Sequence, residues 1–138
     1  MIKEIVKDRD FLSQPAEEAT AEDAQVAEDL RDTMASLEGC ASLAANQIGS
    51  TKAIVAYEDG GRIYVMYNPK LKMGAQPFTA QEGCFSLDEV SEVKRFNMIT
   101  VNYQVLVNGA LVSRSKRFSG WTAQIVQHVI DHCAGKLV

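Results

Sequence analysis

Residues 121–133 read WTAQIVQHVIDHC, and their spacing is that of an α-helix. Apolar and histidine positions recur at intervals of four, three, one and three: Trp121, Ile125, His128, Val129 and His132. The chain has only two histidines, and they lie four residues apart. This interval places both imidazoles on one helix face, with Cβ atoms about 5–6 Å apart. The pair can therefore ligate one metal ion; two unrelated core or surface histidines are the alternative.

The remaining elements predict an α+β fold. A helix is predicted to begin after Thr20, with Val26, Leu30, Met34 and Leu37 forming its apolar stripe and Gly39 following it. Strands are predicted at 53–57, 63–67, 98–103, 105–107 and 110–112. Asp59-Gly60-Gly61 and Asn108-Gly109 are typical of hairpin turns, and Asn68-Pro69 is expected to close the second strand. The order of helix, strands and helix favours an antiparallel sheet in one domain spanning residues 1–138.

Composition narrows the classes of function. The chain has 138 residues, 46% of them hydrophobic, and a net charge of −4. Because it is mildly acidic and has no Lys/Arg block, nucleic acid is not expected as a partner. The apolar runs are too short to cross a membrane, so no membrane association is expected either. Three cysteines and no apparent export signal predict reduced thiols and a cytoplasmic location.

A third metal ligand is expected from Cys84. This residue lies in Glu82-Gly83-Cys84-Phe85-Ser86, which is predicted to form a turn between strands. A glycine before the cysteine permits close approach of another group. One thiolate and two imidazoles would leave the fourth position open, as in catalytic zinc sites. A small buried thiol without a ligand role is the alternative.

A second cluster of interest is Leu43-Ala44-Ala45-Asn46-Gln47-Ile48-Gly49. Its small residues let chain segments pack closely. Gln47 carries an amide donor of the kind that polarises a substrate carbonyl. A tightly packed corner between elements explains the same residues without a catalytic role.

Taken together, the motifs resemble those of the peptide deformylase family. The order Leu-Ala-Ala-x-Gln, Glu-Gly-Cys-x-Ser and Gln-His-x-x-Asp-His matches the three motifs of that family and spans nearly the whole chain. The resemblance implies antiparallel β-sheets packed around a C-terminal helix that carries the two histidines. It also implies hydrolysis of the N-formyl group of formyl-methionyl peptides during bacterial protein biosynthesis, with formylated peptide N-termini as partners.

The resemblance further implies a metal site. The ligands of one divalent ion would be Cys84, His128 and His132. Fe²⁺ would be the native ion, with Zn²⁺, Ni²⁺ or Co²⁺ also accommodated. The metal would activate a water molecule for attack on the formyl carbon. Glu82 would orient one of the ligating imidazoles.

The same resemblance assigns substrate contacts. The donors to the developing oxyanion would be Gln47 and the backbone N–H of Phe85. The peptide would be held by Arg95 and by the backbone near Ser42 and Leu43. For Arg95, a solvated charge on a strand is the alternative.

The chain departs from the family at the helix motif, where Val129 stands in place of the glutamate that transfers protons. A positioned acid–base group typically contributes about 10²- to 10⁴-fold to the rate. Asp131 is expected to point away from the metal, and Glu82 to be occupied by a histidine. Val129 is expected to face the cleft and make it drier.

The first motif also differs, because Cys40-Ala41-Ser42 replaces a Gly-x-Gly sequence. Cys40 is interpreted as a fourth ligand, a redox partner of Cys84 or a small buried residue. These departures favour a metal-bearing, peptide-binding module in which hydrolysis is lost or strongly reduced. One alternative is an active deformylase using metal-activated water or a substitute base. The other is a domain with a purely structural Cys/His metal site.

Overall fold

A computed structural model describes residues 1–138. It contains three α-helices: α1 (Arg9–Leu12), α2 (Ala24–Ser36) and α3 (Gly120–Cys133). The five strands are β1 (Ser42–Ala44), β2 (Ile54–Asp59), β3 (Arg62–Glu82), β4 (Ser91–Val107) and β5 (Ala110–Ser119). They form one antiparallel sheet in the order β1-β2-β3-β4-β5. The α+β prediction with an antiparallel sheet and a C-terminal helix is confirmed.

Both predicted hairpin turns are present. Gly60 and Gly61 join β2 to β3 with φ angles of 60° and 80°. Asn108 and Gly109 join β4 to β5 with φ angles of 50° and 79°. Two consecutive positive φ angles match the twist of the flanking strands, which explains the Gly and Asn residues at these turns.

The expectation that Asn68-Pro69 ends a strand is wrong. β3 continues to Glu82, and the irregularity is absorbed as a shift in register between Tyr67 and Lys70. Asn68 adopts a φ of 51°, which an asparagine tolerates better than most residues. Its side-chain amide then bonds the backbone N–H and C=O of Ala19 at 2.8 and 2.9 Å. A bulge therefore accommodates the proline without ending the strand.

The core lies on both faces of β2. Ile54 and Ala56 belong to a cluster with Leu30 of α2, which we call the α2-side core. Val55 and Tyr57 belong to a second cluster with α3, which we call the α3-side core. Because β2 is covered on both faces, its sequence is apolar without alternation. The sheet thus provides a rigid support for α3.

The C-terminal helix ends where the sequence indicates. Gly135 follows α3 with a φ of 81°, and a Cβ built there would lie 2.5 Å from the carbonyl oxygen of Ser13. Only glycine fits both conditions. No helix of the structure has the length and apolar character needed to span a membrane.

Candidate metal centre and active-site cavity

Three metal-ligating side chains converge beside α3. The thiol sulfur of Cys84 and one ring nitrogen each of His128 and His132 lie within 4.8 Å of one another. Cys84 comes from the loop between β3 and β4, whereas both histidines come from one face of α3. The Nε2 atoms of the two histidines are 3.0 Å apart. The structure therefore brings together the three residues that the sequence predicts as ligands.

Glu82 fixes the orientation of His128. Its Oε1 lies 2.7 Å from Nδ1 of His128, so Nδ1 carries the proton and Nε2 presents a lone pair. Burial lowers the pKa of His128, but hydrogen bonds to Cys84 and Glu82 outweigh it and raise the pKa above its usual value. For Glu82, burial raises the pKa, but hydrogen bonds with His128 and Arg95 outweigh it and lower the pKa to about 2. The carboxylate is therefore anionic at neutral pH.

The environment of Cys84 favours its thiolate form. Burial raises the pKa of the thiol, but contact with the His128 ring and hydrogen bonds from the backbone N–H groups of Ser86 and Leu87 outweigh it and lower the pKa overall. Because the thiolate is the form that binds a metal, the loop after β3 prepares this ligand.

The donor set fits a divalent transition metal. His132 is completely buried, and burial together with His128 lowers its pKa to about 3, so the ring is neutral. Its Nδ1 has no hydrogen-bond partner, while its Nε2 faces the lone pair of His128 Nε2. Two converging imidazole nitrogens and a thiolate are typical ligands for zinc or iron and unsuited to magnesium or calcium.

Arg95 connects the site to a buried ion-pair network. Its guanidinium contacts Glu82 through Nη2 at 2.8 Å and through Nε at 3.0 Å. Its Nη1 contacts Oδ2 of Asp131 at 2.6 Å. The side chain of Arg95 is 4% exposed, so it is not the solvated charge considered from the sequence. Its predicted peptide contact stays a prediction, since Arg95 does not line the cavity beside Cys84.

The oxyanion donors predicted from the sequence lie near the same loop. Gln47 is buried, and its Nε2 donates to Oγ of Ser86 at 3.2 Å. Its Oε1 accepts from the backbone N–H of Ala44 at 3.0 Å, which fixes the amide orientation. The backbone N–H of Phe85 makes no hydrogen bond within the chain and remains available as a donor.

A cavity of about 430 Å³ is lined by two of the three ligands, Cys84 and His128, whereas His132 is fully buried. Its walls include the following residues: Ala41, Ser42, Glu82, Gly83, Cys84, Phe85, Trp121, Gln124, Ile125 and His128. Ser42 begins β1, which is an edge strand paired only with β2. The side chain of Leu43 is fully buried in the α2-side core, so Leu43 offers only its backbone to this region.

Two expectations about the cleft change. Val129 does not face the cavity: it is fully buried in the α3-side core and does not line the walls. Cys40 lies in the α2-side core, where its thiol donates to the carbonyl oxygen of Ser42 at 3.4 Å. It belongs neither to the ligand group of Cys84 nor to a disulfide. Of the three interpretations of Cys40, the small buried residue is the one that the structure shows.

Two features of the site escaped sequence reasoning. Trp121 is 64% exposed and forms part of the cavity wall, whereas the sequence indicated only its place in the helical period of α3. Gln124 donates to Oε2 of Glu82 at 2.9 Å and lines the same cavity. The sequence does indicate this role of Gln124, because it lies four residues before His128 and therefore on the same helix face.

Comparison with known proteins gives a consistent result. The family model described as Polypeptide deformylase matches residues 2–138. A peptide deformylase of Clostridium beijerinckii is 42% identical over 139 residues, covering 100% of both chains. Peptide deformylase 2 of Clostridium acetobutylicum is 33% identical over 128 residues, covering 91% of this chain and 82% of the relative.

Solved structures agree in fold. A class I type b peptide deformylase from Acinetobacter baumannii with bound Met-Ala-Ser matches with a TM-score of 0.85 and 25% identity, covering 99% of this chain and 97% of the other. A peptide deformylase from Thermotoga maritima matches with a TM-score of 0.86 and 26% identity, covering 99% and 95%. The arrangement of sheet and helix described above is therefore one seen in experimentally determined structures.

Proposed function

The chain belongs to the peptide deformylase family, and from that premise we propose that it is an active deformylase, hydrolysing the N-formyl group of formyl-methionyl peptides in a metal-dependent reaction. The observation that carries the proposal is the convergence of Cys84, His128 and His132 beside an open cavity that Cys84 and His128 line. The full-length relative at 42% identity favours an active enzyme over the interpretation in which hydrolysis is lost.

One divalent ion would be held by the thiolate of Cys84 and by Nε2 of His128 and His132. We propose Fe²⁺ as the native ion, with Zn²⁺, Ni²⁺ and Co²⁺ as substitutes, since one sulfur and two imidazoles suit all four. When bound, such an ion supplies Lewis-acid polarisation of a carbonyl and an activated water at neutral pH.

Glu82 and Arg95 act by positioning. The carboxylate holds the His128 ring in one tautomer, and the guanidinium keeps the carboxylate anionic and in place. Partners of ligating histidines typically change metal affinity or activity by about 10- to 100-fold when they are replaced.

The chain's own donors stabilise charge on the formyl oxygen. The backbone N–H of Phe85 is unpaired before substrate binds. The amide of Gln47 is held in orientation by Ala44, and its Nε2 keeps one hydrogen for substrate beside the one donated to Ser86 Oγ. Removing one such donor typically costs about 10²- to 10³-fold in rate. The edge of β1 that does not face β2 begins at Ser42, and its backbone N–H and C=O groups can pair with the backbone of an extended peptide.

The substrate class follows from the family and the cavity. The related Acinetobacter baumannii structure contains Met-Ala-Ser, a peptide that begins with methionine. We propose that formylated peptide N-termini occupy the cavity here, with the methionine side chain against Phe85 and Trp121. Thioether–aromatic contacts of this kind are favourable. The corresponding location is the bacterial cytoplasm, where newly made polypeptides carry the formyl group. A single domain spanning residues 1–138 would carry out the reaction.

A purely structural metal has less support. Closed structural sites usually have four protein ligands. Here the group contains three, and Cys40, the candidate for the fourth, lies in the α2-side core.

The proposal is tested by formate release from formyl-Met-Ala-Ser. Protein loaded anaerobically with Fe²⁺ is expected to release formate, and Cys84→Ala to abolish release. Cys133→Ala is the matched control, because this thiol lies on α3 outside the ligand group. Binding of the peptide without formate release would instead identify a peptide-binding module.

A further inference from the structure

The cavity contains few groups that exchange protons near neutral pH. Its titratable wall residues are Glu82, Cys84 and His128. Cys84 and His128 are metal donors, so only Glu82 remains. Both of its oxygens are engaged: Oε1 by His128 at 2.7 Å and by Arg95 at 2.8 Å, and Oε2 by Arg95 at 3.0 Å and by Gln124 at 2.9 Å. This carboxylate accepts hydrogen bonds from three side chains, and neither oxygen is free to carry a proton to substrate.

Helix α3 offers no substitute. Val129 follows His128 directly, but its side chain is apolar and fully buried. Asp131 is the only carboxylate on the helix, and it pairs with Arg95 at 2.6 Å and Lys136 at 3.6 Å, outside the cavity wall. The site therefore has groups to bind and polarise a formyl carbonyl but none to protonate a departing atom.

The lack of a proton donor slows the departure of some leaving groups more than others. An amide nitrogen departs as a neutral amine and needs a proton as the C–N bond breaks. A thiol with a pKa near 8.5 departs as the thiolate and needs none. An active site without a proton donor therefore retains more of its rate for a formyl thioester than for a formyl amide.

We propose that formyl thioesters are a second substrate class for this site, hydrolysed faster than formyl amides of the same shape. The inference rests on the proposed hydrolase function and extends it. Water adds its oxygen to the formyl carbon, the C–S bond breaks, and the sulfur leaves with the bonding electron pair. The products are formate, the thiolate and two protons released to solvent, with no change in oxidation state.

The test uses a matched pair of substrates. One is formyl-Met-Ala-Ser, and the other has sulfur in place of the formylated nitrogen. Rates are corrected for hydrolysis without protein and compared between the parent chain and Val129→Glu. Position 129 directly follows His128 on α3, and glutamate is longer than valine, so the new carboxylate is expected to extend out of the α3-side core towards the metal donors. The variant is then expected to raise amide cleavage by about 10²- to 10⁴-fold and thioester cleavage by less than about 10-fold. Val129→Gln, which adds a polar group of the same size without a titratable proton, is expected to lack the gain on the amide.

A binding measurement separates chemistry from affinity. Trp121 is the only tryptophan and lines the cavity, so its fluorescence reports Met-Ala-Ser binding directly. Parent and Val129→Glu are expected to bind this peptide within about 3-fold, because the substitution acts on proton transfer. If the variant does not fold, added acetate serves as an external proton carrier for the parent chain, accelerating the amide and not the thioester.

The outcomes distinguish two failures. Equal acceleration of both substrates by Val129→Glu, or equal parent rates on both, would show that another group already supplies the proton. The inference would then be overturned while the hydrolase function stood. Intact peptide binding with no cleavage of either substrate would overturn the hydrolase function itself.

Discussion

Arg95 is expected to be a major contributor to stability, and Arg95→Met tests this. The substitution keeps most of the side-chain volume but removes the charge between Glu82 and Asp131. These partners lie 2.8 and 2.6 Å from the guanidinium, and the Arg95 side chain is 4% exposed. Breaking a buried ion pair by removing one partner typically costs about 3–5 kcal/mol, because a buried charge is left unpaired.

The measurement is urea unfolding of the metal-free protein at pH 7. Arg95→Met is expected to lower the free energy of unfolding by about 3–5 kcal/mol. Arg95→Lys is expected to lose less, since an ammonium retains the charge but not the two-pronged contact with Glu82. Lys94→Met is the control: it removes a neighbouring exposed cation and is expected to change stability by less than about 0.5 kcal/mol. A loss below about 1 kcal/mol for Arg95→Met would refute the reasoning from buried charge.

Three further predictions concern the metal, the buried thiol and the end of α3. Elemental analysis is expected to find about one divalent ion per chain, lost in His132→Ala but kept in Cys133→Ala; a metal-free parent after loading would contradict this. Burial raises the pKa of Cys40 from 9.0 to about 11, so the folded state favours the protonated thiol. The protonated thiol therefore contributes to the free energy of unfolding below pH 9, and this contribution of about 3 kcal/mol is lost as pH rises towards 11. In unfolding measured as a function of pH, Cys40→Ala is expected not to show this decrease. Gly135→Ala is expected to cost at least 1 kcal/mol more in thermal unfolding than Gly109→Ala, since both have positive φ but only Gly135 meets another chain segment within 4 Å; equal costs would exclude a steric contribution.

Local sequence signals predicted much of the fold. Helical spacing located α3, and the Asp-Gly-Gly and Asn-Gly sequences located both hairpins, because these features depend on neighbouring residues. The course of β3 through Pro69 was not predictable in this way. It depends on Asn68 bonding Ala19, which lies 49 residues earlier in the chain.

In the site, too, local sequence patterns predicted some features, whereas others depend on tertiary packing. The spacing of His128 and His132 and the glycine before Cys84 indicated the metal donors, since histidines four apart must share a helix face. The burial of Arg95 between Glu82 and Asp131 arises from tertiary packing of β4 against α3. Strand periodicity alone does not distinguish such a buried charge from a solvated one. The burial of Val129 and Cys40 in two different cores is equally a property of the assembled fold.

The most direct test of a metal-dependent deformylase is a titration of metal-free protein with Fe²⁺ under anaerobic conditions, with formate release from formyl-Met-Ala-Ser followed at each addition. The rate is expected to rise in proportion to added metal and to reach a plateau at about one equivalent per chain, the occupancy expected of a single site formed by Cys84, His128 and His132. Saturation of the site without any formate release would contradict the account.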